Sequence, residues 1–141
     1  MNGRIERTGR ESDIGAFPMS GEEARRGKQL IRIGRDDMLH VVRGERNPIL
    51  LSFFVSNDLC HMGKLVVPTG EGARFSEPMR HAGDMVAYVE TGPLVFVISA
   101  SGETFVVETG DAMFIPEATE YRLVNYESHA VAAIFMAAPA F

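Results

Sequence analysis

The 141-residue sequence has a single cysteine, no tryptophan and no long apolar run. Because Cys60 is alone, the chain can form neither an intramolecular disulfide nor a zinc site built from several thiolates. No run approaches the roughly 18 apolar residues that a membrane-spanning helix needs, and the first residues lack the apolar stretch of a signal peptide. We therefore expect a cytoplasmic protein with no membrane partner.

Basic residues are scarce beyond residue 50. Residues 1–50 hold ten Lys and Arg against eight Asp and Glu, whereas residues 51–141 hold four against eleven. A surface this acidic repels phosphate backbones, so we expect no nucleic-acid partner.

Large apolar residues are few in residues 1–28, which are rich in Gly, Ser, Arg and Glu. This composition predicts a flexible N-terminal arm, followed by one folded domain of residues 29–141. Within the arm, Ser20 can cap a short helix together with Glu23 three residues later. The apolar patch at residues 14–19 could also add an edge strand to a partner.

From residue 30 onward, short runs rich in Val, Ile and Phe alternate with turn signals. No segment between them is long or periodic enough to be the crossover helix of a parallel sheet. Many short strands at close spacing are typical of an antiparallel sandwich or barrel, so the predicted fold class is all-β. The predicted strands are residues 30–33, 38–42, 49–56, 64–67, 85–89, 94–99, 104–107, 112–115, 121–124 and 130–136.

Two stretches resemble the signatures of the cupin superfamily. Gly110, Pro116 and Asn125 fall at the positions that the second cupin signature gives to Gly, Pro and Asn, and residues 79–92 are similar to the first signature around His81. The resemblance covers about residues 50–137. It implies a cupin jelly-roll barrel, also called a double-stranded β-helix.

The same resemblance implies a metal site of three histidines and one carboxylate, from which this sequence departs. Met79 and Tyr121 stand at two histidine positions and Met85 at the glutamate position, which leaves His81 alone. Because thioethers are poor ligands for iron, manganese or zinc, we expect no metal and no other cofactor. A rebuilt metal site would use the fallback set His81, Asp84 and Glu120.

On this resemblance His81 and Tyr121 point into the barrel. The imidazole could act as a general base and the phenol as a general acid. Alternatively, both are core residues whose polar atoms find partners inside. The predicted lining of a ligand pocket around them is Met79, Met85, Ala87 and Leu123.

Several neighbouring groups have a simpler interpretation. Arg80 directly precedes His81 on an extended segment, so its side chain should face the surface, opposite to that of His81. We interpret His40, His61 and His129 as ordinary surface or edge histidines. Cys60 precedes a histidine, which can activate a thiol, but adjacent strand residues face opposite sides.

The apolar run at residues 49–55 is too apolar for a free sheet edge or face and predicts a partner surface. A similar erosion of the metal site occurs in the Mif2-like C-terminal domain of centromere protein C, a cupin branch that pairs with itself. We therefore predict a homodimeric cupin barrel without the usual metal site, acting as a dimerisation module or binding a small polar organic ligand.

An enzyme is the main alternative. It would be a metal-independent isomerase, epimerase or dehydratase of a sugar or keto compound that uses His81 and Tyr121. A metalloenzyme with a rebuilt site ranks behind both hypotheses.

Overall fold

The computed structural model describes residues 13–141, in which one helix precedes ten strands. Every strand pairing in this part of the chain is antiparallel, which confirms the all-β prediction. The elements are α1 (Gly21–Gly27), β1 (Leu39–Arg43), β2 (Ile49–Ser56), β3 (His61–Val67), β4 (Arg74–Phe75), β5 (Asp84–Thr91), β6 (Leu94–Ile98), β7 (Thr104–Val107), β8 (Ala112–Ile115), β9 (Tyr121–Asn125) and β10 (Val131–Ala138).

The strands form two sheets that enclose one core. The larger sheet has the order β1-β2-β3-β10-β5-β8 and the smaller has the order β4-β9-β6-β7. Side chains alternate across each strand, so that Met85, Ala87 and Val89 of β5 are buried while Val86 and Tyr88 are exposed. This arrangement confirms the jelly-roll prediction.

Residues of the second signature serve the fold. Gly110 has φ +93°, which a glycine adopts without strain, and it turns the chain between β7 and β8. Pro116 follows the last residue of β8. Asn125 is fully buried and its Nδ2 donates to the carbonyl oxygens of Val67 and His129, which ties β3 to the turn before β10.

One predicted strand is wrong and one short strand was missed. Residues 30–33 form no strand, and the side chain of Leu30 is fully exposed, because no neighbouring strand lies beside this run. The two-residue strand β4 carries too little pattern to be predicted. The other nine predicted runs coincide with strands within a few residues.

The described part of the predicted arm lies against the barrel. Phe17 and Ser56 exchange two backbone hydrogen bonds, so the apolar patch contacts β2 of its own chain. Ser20 caps α1 by accepting the Glu23 N–H at 3.1 Å, as predicted. The rest of the predicted flexible arm, residues 1–12, lies outside the described residues.

None of the helices formed by residues 13–141 has the length and apolar character needed to cross a membrane.

Candidate functional site

His81 and Tyr121 meet in the centre of the barrel. The segment before β5 is held to β9 by two backbone hydrogen bonds between Met79 and Tyr121. Two residues further on, His81 Nε2 lies 2.6 Å from the Tyr121 hydroxyl oxygen. Both side chains are buried, with exposures of 3% and 0%. The structure therefore brings together the two residues that the sequence singled out.

Only one nitrogen of the His81 imidazole has a hydrogen-bond partner, the Tyr121 hydroxyl. The Tyr121 hydroxyl oxygen also lies 3.6 Å from the Met85 sulfur, and which group donates between Tyr121 and His81 depends on the tautomer of the imidazole. His81 Nδ1 is buried and has no hydrogen-bond partner in the part of the chain that the structure describes. A buried polar atom without a partner is uncommon in native proteins, because it has lost its water without compensation.

Burial keeps both groups neutral at pH 7. Burial, together with smaller effects of the positive charge of Arg43 and of His61, lowers the pKa of His81 from 6.5 to about 4. Burial also raises the pKa of Tyr121 well above its usual range, and Arg43 only partly opposes this rise. The imidazole is thus a weak base and the phenol a weak acid.

The side chain of Phe141 covers one side of the pair. Its ring centroid lies 4.5 Å from that of His81, and it is 5.3 Å from the rings of Phe53 and Phe135. The guanidinium of Arg43 lies over the same ring at 4.9 Å.

His61 is a buried polar residue that the sequence analysis misinterpreted. It is 4% exposed at the start of β3, its Nδ1 lies 2.7 Å from the Ser56 hydroxyl, and its ring is 5.9 Å from that of Phe141. Burial lowers its pKa. The sequence contained the information needed to predict this burial. His61 lies an even number of residues before Leu65 and Val67, so its side chain faces the core together with theirs.

A slot lies beside Tyr121. It has a volume of about 210 Å³ and includes Glu103 and Thr119 among otherwise mostly apolar residues. Strand β8 contributes Met113, Phe114 and Ile115 to the lining of this slot, and the Phe114 side chain is also exposed to solvent. The inward-facing lining residues are Phe96, Ile98, Phe105, Met113, Ile115 and Tyr121.

The residues predicted to line a ligand pocket belong to the core. All four are buried in the main hydrophobic cluster, and none of them lines the slot. Among them, Met85 has its sulfur 3.6 Å from the Tyr121 hydroxyl oxygen, and Met79 pairs with Tyr121 through the backbone. Their role in binding stays a prediction; they are Met79, Met85, Ala87 and Leu123.

The residues at the cupin metal positions do not fit a transition metal. Two thioethers, a protonated phenol and one imidazole offer no carboxylate and one nitrogen donor. The fallback carboxylates lie elsewhere: Asp84 is exposed and accepts the Glu117 N–H at 2.9 Å, and Glu120 faces Arg80 at 4.0 Å. Within residues 13–141, no three potential ligands from His, Cys, Asp and Glu come together.

The remaining candidates are peripheral. Arg80 and His129 are exposed, as predicted. His40 is half-buried, and its Nδ1 lies 2.7 Å from the Ser52 hydroxyl. Cys60 is a half-buried free thiol that provides no nucleophile at the barrel centre.

No protein-family model and no curated protein matches the sequence, whereas many solved structures resemble the fold. Ethanolamine utilization protein Q of Salmonella typhimurium is 23% identical over 69% of this chain and 74% of its own, with a TM-score of 0.55. A cupin domain from Bordetella pertussis is 18% identical over 69% of this chain and 99% of its own, with a TM-score of 0.56.

A third similar structure is the polyketide cyclase RemF from Streptomyces resistomycificus. It is 19% identical over 79% of this chain and 84% of its own, with a TM-score of 0.61. Identities this low establish the architecture and leave the activity open. Together with the signature residues and the two facing sheets, these likenesses show that the chain has the cupin fold.

Proposed function

We propose that the protein is a homodimeric, metal-independent cupin-fold module. The observation that carries this proposal is an apolar surface on the outside of the six-stranded sheet, which we call the outer apolar face. Its residues are Val42, Leu50, Met62, Val86, Tyr88, Phe114, Ile134 and Met136.

The strand register makes this face continuous. Met62 lies opposite Met136, Met136 opposite Val86, and Val86 opposite Phe114, so four strands contribute one apolar row. The four side chains are 38–58% exposed. A contiguous apolar patch of this kind is typical of an interaction surface, because soluble monomers rarely leave one uncovered.

Charge and area favour a second copy as the occupant. The chain carries a net charge of −5, whereas on this face Lys64 and Glu90 pair at 3.0 Å and Asp84, at the start of β5, adds one further negative charge. Strand spacing and rise give a footprint on the order of 500 Å² per copy. Two copies would bury roughly 1,000 Å², the size at which specific interfaces begin.

The centromere protein C-like resemblance supports the same architecture, since that cupin branch also pairs a barrel without metal ligands.

The apolar run at residues 49–55 contributes to both sides of the sheet. Leu50 is exposed on the outer apolar face, whereas Phe53 is fully buried.

We expect the wild-type protein to have a dimer mass by light scattering at low micromolar concentration. Val86→Asp should yield a monomer, because an unpaired carboxylate inside the interface costs about 3–5 kcal/mol. Val106→Asp is the matched control, since Val106 is 60% exposed on β7 of the smaller sheet. A monomer mass for the wild type, or an equal effect of both substitutions, would contradict the proposal.

A second prediction concerns metal content. Because the cupin positions hold Met79, Met85 and Tyr121, elemental analysis after mild chelation should find no stoichiometric transition metal. One tightly held iron, zinc, nickel or manganese ion per chain would contradict it.

The protonation of the central pair weighs against the enzyme alternative. A general base works best when its pKa lies near the working pH, and the pKa of His81 is about 4. Tyr121 is a poor general acid, because burial raises its pKa. The slot favours binding of a small, mostly apolar molecule as a second candidate function.

A further inference from the structure

The slot beside Tyr121 carries charge of one sign. Glu103 is the single acidic residue among the described residues that line it, and none of these residues is Lys, Arg or His. The Glu103 side chain is exposed, and no basic side chain of residues 13–141 forms an ion pair with it. A guest in the slot would therefore meet one carboxylate whose charge is not compensated.

The strand register directs Glu103 toward the slot. Its carbonyl oxygen accepts the Ile98 N–H at 2.9 Å, and Ile98 in turn lies opposite Tyr121. Because side chains alternate along an extended chain, Glu103 lies on the same side of the smaller sheet as Phe105 and the buried Val107. Glu103, Ile98 and Tyr121 thus form one row across three neighbouring chain segments, and all three line the slot.

Aromatic rings make up much of the remaining lining. Four of the lining residues are aromatic, and two of these, Phe105 and Phe114, are 37% and 58% exposed, so their rings border the opening. The faces of aromatic rings attract cations, and an ammonium group carries only hydrogen-bond donors, which a carboxylate accepts. A carboxylate beside exposed rings therefore favours an organic ammonium ion over an anion or a neutral molecule.

The volume of the slot limits the guest to a small molecule. The slot has about 210 Å³. A cavity of about 150 Å³ is enough to hold benzene, so one ring with a short chain fits. Two strand spacings, roughly 10 Å, separate Glu103 from Tyr121 across the slot, which suits a guest of that length.

We propose that the slot binds a small apolar amine in its ammonium form. The apolar body would lie among the rings between the two sheets, and the ammonium group would stay at the opening beside the Glu103 carboxylate and the Phe105 ring. No covalent step is involved. This inference rests on the second candidate function, the binding of a small, mostly apolar molecule in the slot, and it adds the charge of that molecule.

Three probes of the same shape test the charge of the ligand: phenethylamine, the neutral 2-phenylethanol and the anionic 3-phenylpropionate. We expect phenethylamine at pH 7 to bind about threefold more tightly than the alcohol and about tenfold more tightly than the anion, because exposed ion pairs and cation–π contacts are individually weak. The Met113 methyl resonance should shift during the titration, since Met113 lines the slot. The Met38 methyl should not shift, because Met38 precedes β1 at the opposite edge of the larger sheet from β8.

Glu103→Gln keeps the shape of the side chain and removes its charge. This variant should bind phenethylamine and 2-phenylethanol with affinities equal to within about a factor of two, because the remaining cation–π contacts are weak at an exposed site. Glu108→Gln is the matched control, since Glu108 is also exposed and lies outside the slot. The control should keep the wild-type preference for the amine.

Three results would overturn the inference, each in a different way. Equal affinity of the wild type for phenethylamine and 2-phenylethanol would leave the slot as an apolar binding site without this ligand class. Absence of a Met113 shift with all three probes at millimolar concentration would refute the slot as a binding site as well. Equal loss of the amine preference in Glu103→Gln and Glu108→Gln would assign that preference to the net charge of the chain.

Discussion

Gly63→Ala is expected to destabilise the protein by more than about 3 kcal/mol, since overpacking a dense core costs up to this amount even where side chains can adjust. A Cβ at Gly63 would collide with the Ser52 carbonyl oxygen and would lie 2.9 Å from Phe53 Cα. These are backbone atoms of β2, which cannot rotate away. The melting temperature should fall by about 10 °C or more.

The register explains why a glycine is needed there. Gly63 lies opposite Phe53 on one side and opposite Phe135 on the other. The two rings meet edge to face at 5.3 Å across the position without a side chain. Gly27→Ala is the control, because a Cβ at Gly27 meets nothing within 4 Å. If both variants melt at the same temperature as the wild type, the close approach of β2 and β3 is not as tight as described.

Acid is expected to remove about 3 kcal/mol of folding free energy through His81. Above pH 6.5 the imidazole is neutral in both the folded and the unfolded chain, and below about pH 4 it is charged in both. Between these limits the unfolded chain binds a proton that the folded chain does not, so stability falls as the pH falls. The size of the loss follows from the difference between the His81 pKa of 6.5 in the unfolded chain and of about 4 in the folded chain.

Urea unfolding at several pH values between 7.5 and 4 measures this loss. His81→Gln should flatten the dependence, leaving the smaller contribution of His61, whose pKa burial also lowers. His129→Gln is the control, because it removes an exposed imidazole that does not touch the barrel centre. A pH dependence that is equally steep in His81→Gln and the wild type would assign the acid sensitivity to other groups.

The sequence predicted the sheets and the central pair because both depend on short-range patterns. Period-two alternation and turn residues determine where strands begin, and the signature positions of His81 and Tyr121 fall on facing elements. Residues 30–33 have the same β-rich texture without forming a strand, because a strand also requires a neighbour to pair with.

The position of the Phe141 side chain over His81 and Tyr121 could not be predicted from such patterns. Phe141 reaches the barrel from a segment with no periodicity, and its position depends on where β10 ends relative to Gly83. A Cβ at Gly83 would meet the Ala138 and Ala140 carbonyl oxygens, so that segment passes directly over the chain. Such contacts between remote segments leave no local pattern in the sequence.

Strand β8 connects two surfaces that would otherwise be independent. In the larger sheet it is hydrogen-bonded only to β5, and its Phe114 both lines the slot and belongs to the outer apolar face. A guest in the slot that displaces the Phe114 side chain would therefore change the outer apolar face as well. In a dimer, filling the slot and tightening the association would then be reciprocally linked, with each changing the equilibrium constant of the other by the same factor.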